Sequence, residues 1–240
     1  MQELNLPSGL KDKVSDFLKG LKSIFAQDLT SVILYGSAAS GEFVDKRSNL
    51  NLLVVLKNSG LENLKKASGA VNKSRLINPL FLTERYIASS TDIFPIEFLD
   101  MKENYRVLYG KDVLKDIVVE TVNLRFQCEQ ELKAKLIGIK QFYLKINKDQ
   151  RALGKFLLES FTPVLHVLRN VLRLKGKKPA YQKKDLIKDL AAEFEMNLHS
   201  WETILAAKQN EVKLGVKTTC SLFANFVNDL EGIVEAVDKL

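Results

Sequence analysis

Two short apolar runs, Val32 to Tyr35 and Leu50 to Leu56, flank a segment that opens with Gly36-Ser37, and this pattern constrains the fold more than any other stretch. The runs are β-branched and leucine-rich, too short for ordinary helices, and bounded by glycine and polar clusters, so they read as strands. Between them the small residues after Gly36 predict one or two helical turns that close near Gly41. A strand that runs into Gly-Ser and then a helix start brings backbone N–H groups, a hydroxyl and the positive end of a helix dipole to one point, which suits a phosphate. Gly36 and Ser37 are therefore the first candidate phosphate-binding residues. Lys46 and Arg47, in the loop before the second strand, can add positive charge to the same ligand. Asn49 and Asn51 stand two apart, so on a strand their side chains share one face.

The neighbouring stretches alternate helix and strand. Leu10, Val14, Phe17, Leu21 and Phe25 recur at helical spacing and predict a helix over 8–26 with Ser8 as its N-cap. A helical segment at 61–76 follows the second strand, then a short strand from Pro79 and a short helix capped by Thr83. Ile96 to Met101 reads as the next strand, on which Glu97 and Asp100, an odd number of residues apart, would face opposite ways. From residue 116 onward five segments carry apolar stripes at steps of three and four, the pattern of a helical bundle. The expected fold class is α+β or α/β, a small mixed-sheet core over 1–114 followed by a bundle over 115–240.

Composition narrows the function classes without choosing one. With 46% apolar and 27% charged residues the chain is that of an ordinary globular protein. No apolar run is long enough to span a membrane, and the N-terminal residues lack a basic start and an apolar stretch, so a cytoplasmic location with no membrane partner is expected. Two cysteines, Cys128 and Cys220, make no disulfide framework or zinc spacing and read as buried or half-buried thiols. The net charge of +7 is spread over both halves and fits a phosphorylated ligand or a nucleic-acid contact. The run from Lys175 to Lys184 could touch RNA or an anionic acceptor, but Gly176 and Pro179 favour a turn between helices.

Leu-Tyr-Gly-Ser-Ala-Ala-Ser-Gly-Glu-Phe, followed by Ser-Asn-Leu-Asn-Leu-Leu-Val, resembles the Gly-Ser and Asp-x-Asp signature of the DNA polymerase β-like nucleotidyltransferase superfamily, in its minimal and kanamycin nucleotidyltransferase-like branch. The resemblance implies a nucleotidyltransferase core followed by a helical domain that helps bind the acceptor. It implies that Gly36 and Ser37 hold a triphosphate and that the positions of Asn49 and Asn51 face two magnesium ions. By the same resemblance Glu97, in Ile-Glu-Phe, matches a third metal-binding acid, with Asp100 as the runner-up. Glu159 matches a helical-domain glutamate that acts as base toward the acceptor. His166 reads as a packed or half-exposed histidine, and the Arg-x-x-x-x-His pattern of HEPN ribonucleases is missing around it.

The chain departs from that family where the chemistry is most demanding. Magnesium is held in such sites by carboxylates and substrate phosphates, whereas asparagine offers one neutral oxygen and no charge. Two Asp-to-Asn replacements should weaken metal binding far more than phosphate contacts. The expectation is a degenerate site, with no metal at Asn49 and Asn51, in a catalytically impaired or inactive protein that serves as a nucleotide-binding or partner-binding module. The alternative is an active enzyme that moves a nucleotidyl group from a nucleoside triphosphate to a small molecule, protein or tRNA, with magnesium on Glu97, Asp100 or Asp45. A second copy of the chain or another helical protein is the expected macromolecular partner.

Overall fold

The computed structural model describes residues 6–40 and 49–240, which fall into two compact units, 1–119 and 120–240. In the first unit α1 (Ser8–Phe25) precedes β1 (Leu29–Tyr35), the one-turn α2 (Ser37–Ser40) and β2 (Leu50–Leu56). Next come α3 (Leu61–Lys73), β3 (Ile77–Leu82), α4 (Glu84–Ala88), α5 (Pro95–Glu103) and β4 (Tyr105–Gly110). The strands form one mixed sheet in the order β3-β2-β1-β4, antiparallel except for the parallel pair β2/β3 joined through α3. Pro79 lies in β3, an edge strand, where its missing N–H costs no ladder bond.

Alternation along β1 and β2 assigns each side chain to a face. Val32 and Leu34 of β1 and Leu50, Leu52, Val54 and Leu56 of β2 pack beneath α1 and α3, joining Val14, Phe17, Leu21 and Ala67. Ile33, Leu53 and Val55 point the other way, onto Ile87 of α4, Phe98 and Met101 of α5, and Leu114. With both faces covered, these two central strands need no polar alternation, which is why they read as continuous apolar runs.

Two local expectations change. The segment from Ile96 to Met101 is not a strand: Pro95 sits at the start of α5, Glu97 in its first turn, and Pro95, Ile96, Phe98 and Met101 are its buried residues. Proline pre-set for a first turn, with an acid beside the positive helix end, outweighs a short apolar run. The strand comes later, at Tyr105–Gly110. At α1 the helix begins with Ser8 already inside it, and the N-cap position belongs to Pro7. Thr83 does cap α4, its hydroxyl accepting from the Tyr86 N–H at 3.1 Å.

The second unit contains α6 (Thr121–Ile146), α7 (Gln150–Leu174), α8 (Lys183–Glu193), α9 (Leu198–Lys208) and α10 (Val216–Val237). Trp201 of α9 lies at the centre, its ring 5.5 Å from Phe161 of α7 and 5.0 Å from Phe226 of α10. Its indole N–H is satisfied by Asp229 Oδ2 at 2.8 Å, and the same oxygen accepts the backbone N–H of Asn197 at 2.9 Å. Cys128 is buried in α6, but Cys220, near the start of α10, is exposed. His166 is likewise exposed on α7, between the buried Leu165 and Val167.

The basic stretch after α7 is held internally. Glu193 accepts from Lys175 at 2.7 Å and Lys177 at 2.8 Å, while Lys175 also lies 4.8 Å over the Phe194 ring. Arg169 donates to the carbonyls of Ala180 and Tyr181 at 3.0 and 2.6 Å. Two of the run's lysines and the arginine beneath it thus fasten a turn between helices.

Two predictions follow from this packing. Gly110 has φ +76°, and a Cβ there would lie 2.0 Å from the Thr30 carbonyl oxygen, so β1 and β4 could not keep their spacing. Gly110→Ala is expected to destabilise the first unit by about 3 kcal/mol or more in chemical denaturation. In the bundle, hydrogen bonds from Lys175 and Lys177 lower the Glu193 carboxyl from 4.5 to about 2. A depressed carboxyl contributes stability above its unfolded value and loses it as pH falls toward the folded one. The melting-temperature gap between wild type and Glu193→Gln should therefore be widest above pH 5, close between about pH 4.5 and 2, and narrow in high salt.

Candidate functional site

The site begins where β1 ends. Gly36 takes φ +75°, a conformation that favours glycine, and turns the chain from the strand into α2. Its N–H donates to the Asn104 carbonyl at 3.0 Å, and its own carbonyl accepts from Ala39 and Ser40 at 2.9 and 3.1 Å. The N–H groups of Ser37 and Ala38 stand ahead of that first acceptor, so the helix itself offers them no partner. Ser40 Oγ closes the turn by donating to the Ser37 carbonyl at 3.1 Å.

A Cβ on Gly36 would meet Asn51 Nδ2 at 3.4 Å, so the glycine leaves the turn in contact with the amide of the next strand. Register explains the juxtaposition: Tyr35 pairs with Asn51 on β2 and with Tyr105 on β4, and Asn51 pairs with Asn78 on β3. Tyr105, Tyr35, Asn51 and Asn78 thus form one row across all four strands, on the sheet face of Ile33 and Leu53 and at its Gly36 end. Asn78 Nδ2 donates to Asn51 Oδ1 at 3.4 Å, a long contact that engages the oxygen a metal would need. Tyr105 Oη donates to Asp112 Oδ2 at 3.0 Å, and Asp112 Oδ1 caps the following turn through the N–H groups of Leu114 and Lys115. Burial raises the phenol pKa of both tyrosines, and at Tyr105 the hydrogen bond and negative charge of Asp112 add to the effect. Both phenols are therefore neutral donors over the physiological range.

Gly36, Ser37 and Asn51 are brought together at the strand ends, while Asn49 is exposed one residue before β2. Asp45, Lys46 and Arg47 lie outside the described residues. Glu97 is half-buried in the first turn of α5, and Asp100, three residues on, shares its side of the helix rather than opposing it. Glu159 is an exposed residue of α7 that faces Lys155 at 3.8 Å. Asn78 was not singled out by the sequence, because the third strand was expected to start at Pro79 and parallel pairing is not a local signal. Its place in the row follows from β3 starting two residues earlier.

Among the described residues the row offers magnesium no carboxylate. The hard cation calls for charged oxygens, and the row supplies neutral amides, one of them already bonded to its neighbour. Among the described residues no three His, Cys, Asp or Glu side chains are grouped to hold a metal ion.

No protein-family description and no curated protein matches the chain. Solved structures do. A crystal structure of the spectinomycin adenyltransferase AAD(9) from Enterococcus faecialis, determined with ATP and spectinomycin, superposes with a TM-score of 0.59 at 15% identity. The match covers 92% of this chain and 99% of that one, so the likeness extends over both units. Among the described residues no helix is long and apolar enough to cross a membrane. The chain has a nucleotidyltransferase-like fold, a mixed four-stranded sheet with a helical C-terminal region.

Proposed function

We propose that this protein binds a nucleotide at the Gly36 turn and does not transfer it, acting as a regulatory or partner-binding module on a nucleotidyltransferase fold. The observation that carries this reading is the amide of Asn51 where the resemblance calls for a carboxylate, with its Oδ1 engaged by Asn78. Gly36 lets the phosphates approach the backbone, and the Ser37 hydroxyl and the first N–H groups of α2 donate to them. Lys46 and Arg47 supply positive charge. Asn49 and Asn51 contact the ligand as neutral donors and acceptors, so a bound triphosphate keeps its charge and the leaving pyrophosphate gains no cation from these side chains. Glu97 takes the metal-ligand role and Glu159 the base role of an active enzyme only if a metal reaches the site by another route.

Equilibrium binding of ATP with and without magnesium, alongside transfer of labelled nucleotide to small-molecule, protein and tRNA acceptors, tests this reading. Affinity should change less than about threefold on adding magnesium, and Ser37→Ala should weaken binding about fivefold, the worth of one hydrogen bond. Magnesium-dependent incorporation that Ser37→Ala abolishes would establish the active alternative instead. The double variant Asn49→Asp/Asn51→Asp should gain at least about tenfold in manganese affinity, read by electron paramagnetic resonance in the presence of ATP. An unchanged affinity would mean that these positions do not face the metal of the family's site.

A further inference from the structure

On the sheet face opposite the Asn51 row, α1 and α3 leave a groove of about 820 Å³ between them. Phe17, Ile24 and Leu76 make its floor. Its rims carry Lys13 from α1, Lys66 and Lys73 from α3, and Arg75 from the turn into β3, all of them exposed. Among the described residues none of these cations meets a carboxylate. Lys66 donates to the neutral Asn63 Oδ1 at 2.9 Å, and the lining acid Asp16 is paired with Lys19 at 3.3 Å.

Two glycines line the same groove inside their helices, Gly20 of α1 and Gly69 of α3. A Cβ at either would meet nothing within 4 Å, so packing does not require glycine there. Each costs its helix about 1 kcal/mol relative to alanine. Without side chains at these two positions the groove keeps its open volume between the helices. The volume is that of a small-ligand site, and the surplus positive charge on both rims calls for an anion with more than one charged group.

We propose that the α1/α3 groove binds clustered phosphate groups, as a polyphosphorylated small molecule or as a short stretch of nucleic-acid backbone. The site is separate from the Gly36 turn and does not depend on the nucleotide reading. Lysine acetylation of the full chain, followed by mass spectrometry in low salt with chelator present, tests it with inorganic tripolyphosphate as the probe. Acetylation of Lys13, Lys66 and Lys73 should slow by about threefold or more while Lys57 and Lys145 are unaffected. Arg75→Ala and the groove-filling Gly69→Leu should each remove the protection with the melting temperature kept or, for Gly69→Leu, raised. Protection should persist in Ser37→Ala, which separates this groove from the nucleotide site. Even protection of all exposed lysines, or full protection in the Arg75 and Gly69 variants, overturns the proposal. A short RNA that protects the same lysines at lower concentration than tripolyphosphate assigns the phosphates to a nucleic-acid strand, and the reverse order assigns them to a small ligand.

Discussion

The antiparallel ladders on both sides of β1 fix everything that matters at the site. Val32, Ile33 and Leu34 are fully buried, so the strand has no freedom to shift without moving apolar side chains to the wrong layer. Because Tyr35 is paired on one side with Asn51 and on the other with Tyr105, the point at which the chain leaves the sheet is set by two neighbours at once. The Gly36 N–H bond to the Asn104 carbonyl then holds the turn itself. The backbone geometry at Gly36 and Ser37 is thus a consequence of core packing several residues upstream.

Once the turn is fixed, the charge of the adjacent row decides what can be done there. Two carboxylates side by side repel each other, by about 4 kcal/mol at 4 Å in a partly screened environment, and need a cation to remain ionised together. Amides carry no such requirement. Asn51 and Asn78 can satisfy each other, and the neighbouring phenols of Tyr35 and Tyr105 stay neutral because burial raises them. The row consequently carries no charge that calls for a cation.

How much of this was legible in the sequence depended on the range of the signal. β1, β2 and the Gly-Ser turn announce themselves through short-range punctuation, and the bundle through apolar stripes many residues long, so both could be read directly. Ile96 to Met101 could not, because a short apolar run fits either period and the proline that settles it lies one residue before. The same error moved Glu97 from a strand to a helix. Asn78 was invisible for a different reason: its partnership with Asn51 depends on a parallel crossover through α3, and nothing within its own segment reports that pairing.

The distribution of burial explains why such a site can change its chemistry while the fold persists. Stability in the first unit comes from the two apolar layers on either side of the sheet, whose central residues are fully buried. Gly36, Ser37 and Asn51 lie at the half-exposed end of the same strands, beyond the fully buried residues of those layers. A carboxylate in place of the Asn51 amide would fill the same half-exposed space, so the identity of that side chain bears on the charge of the row more than on folding.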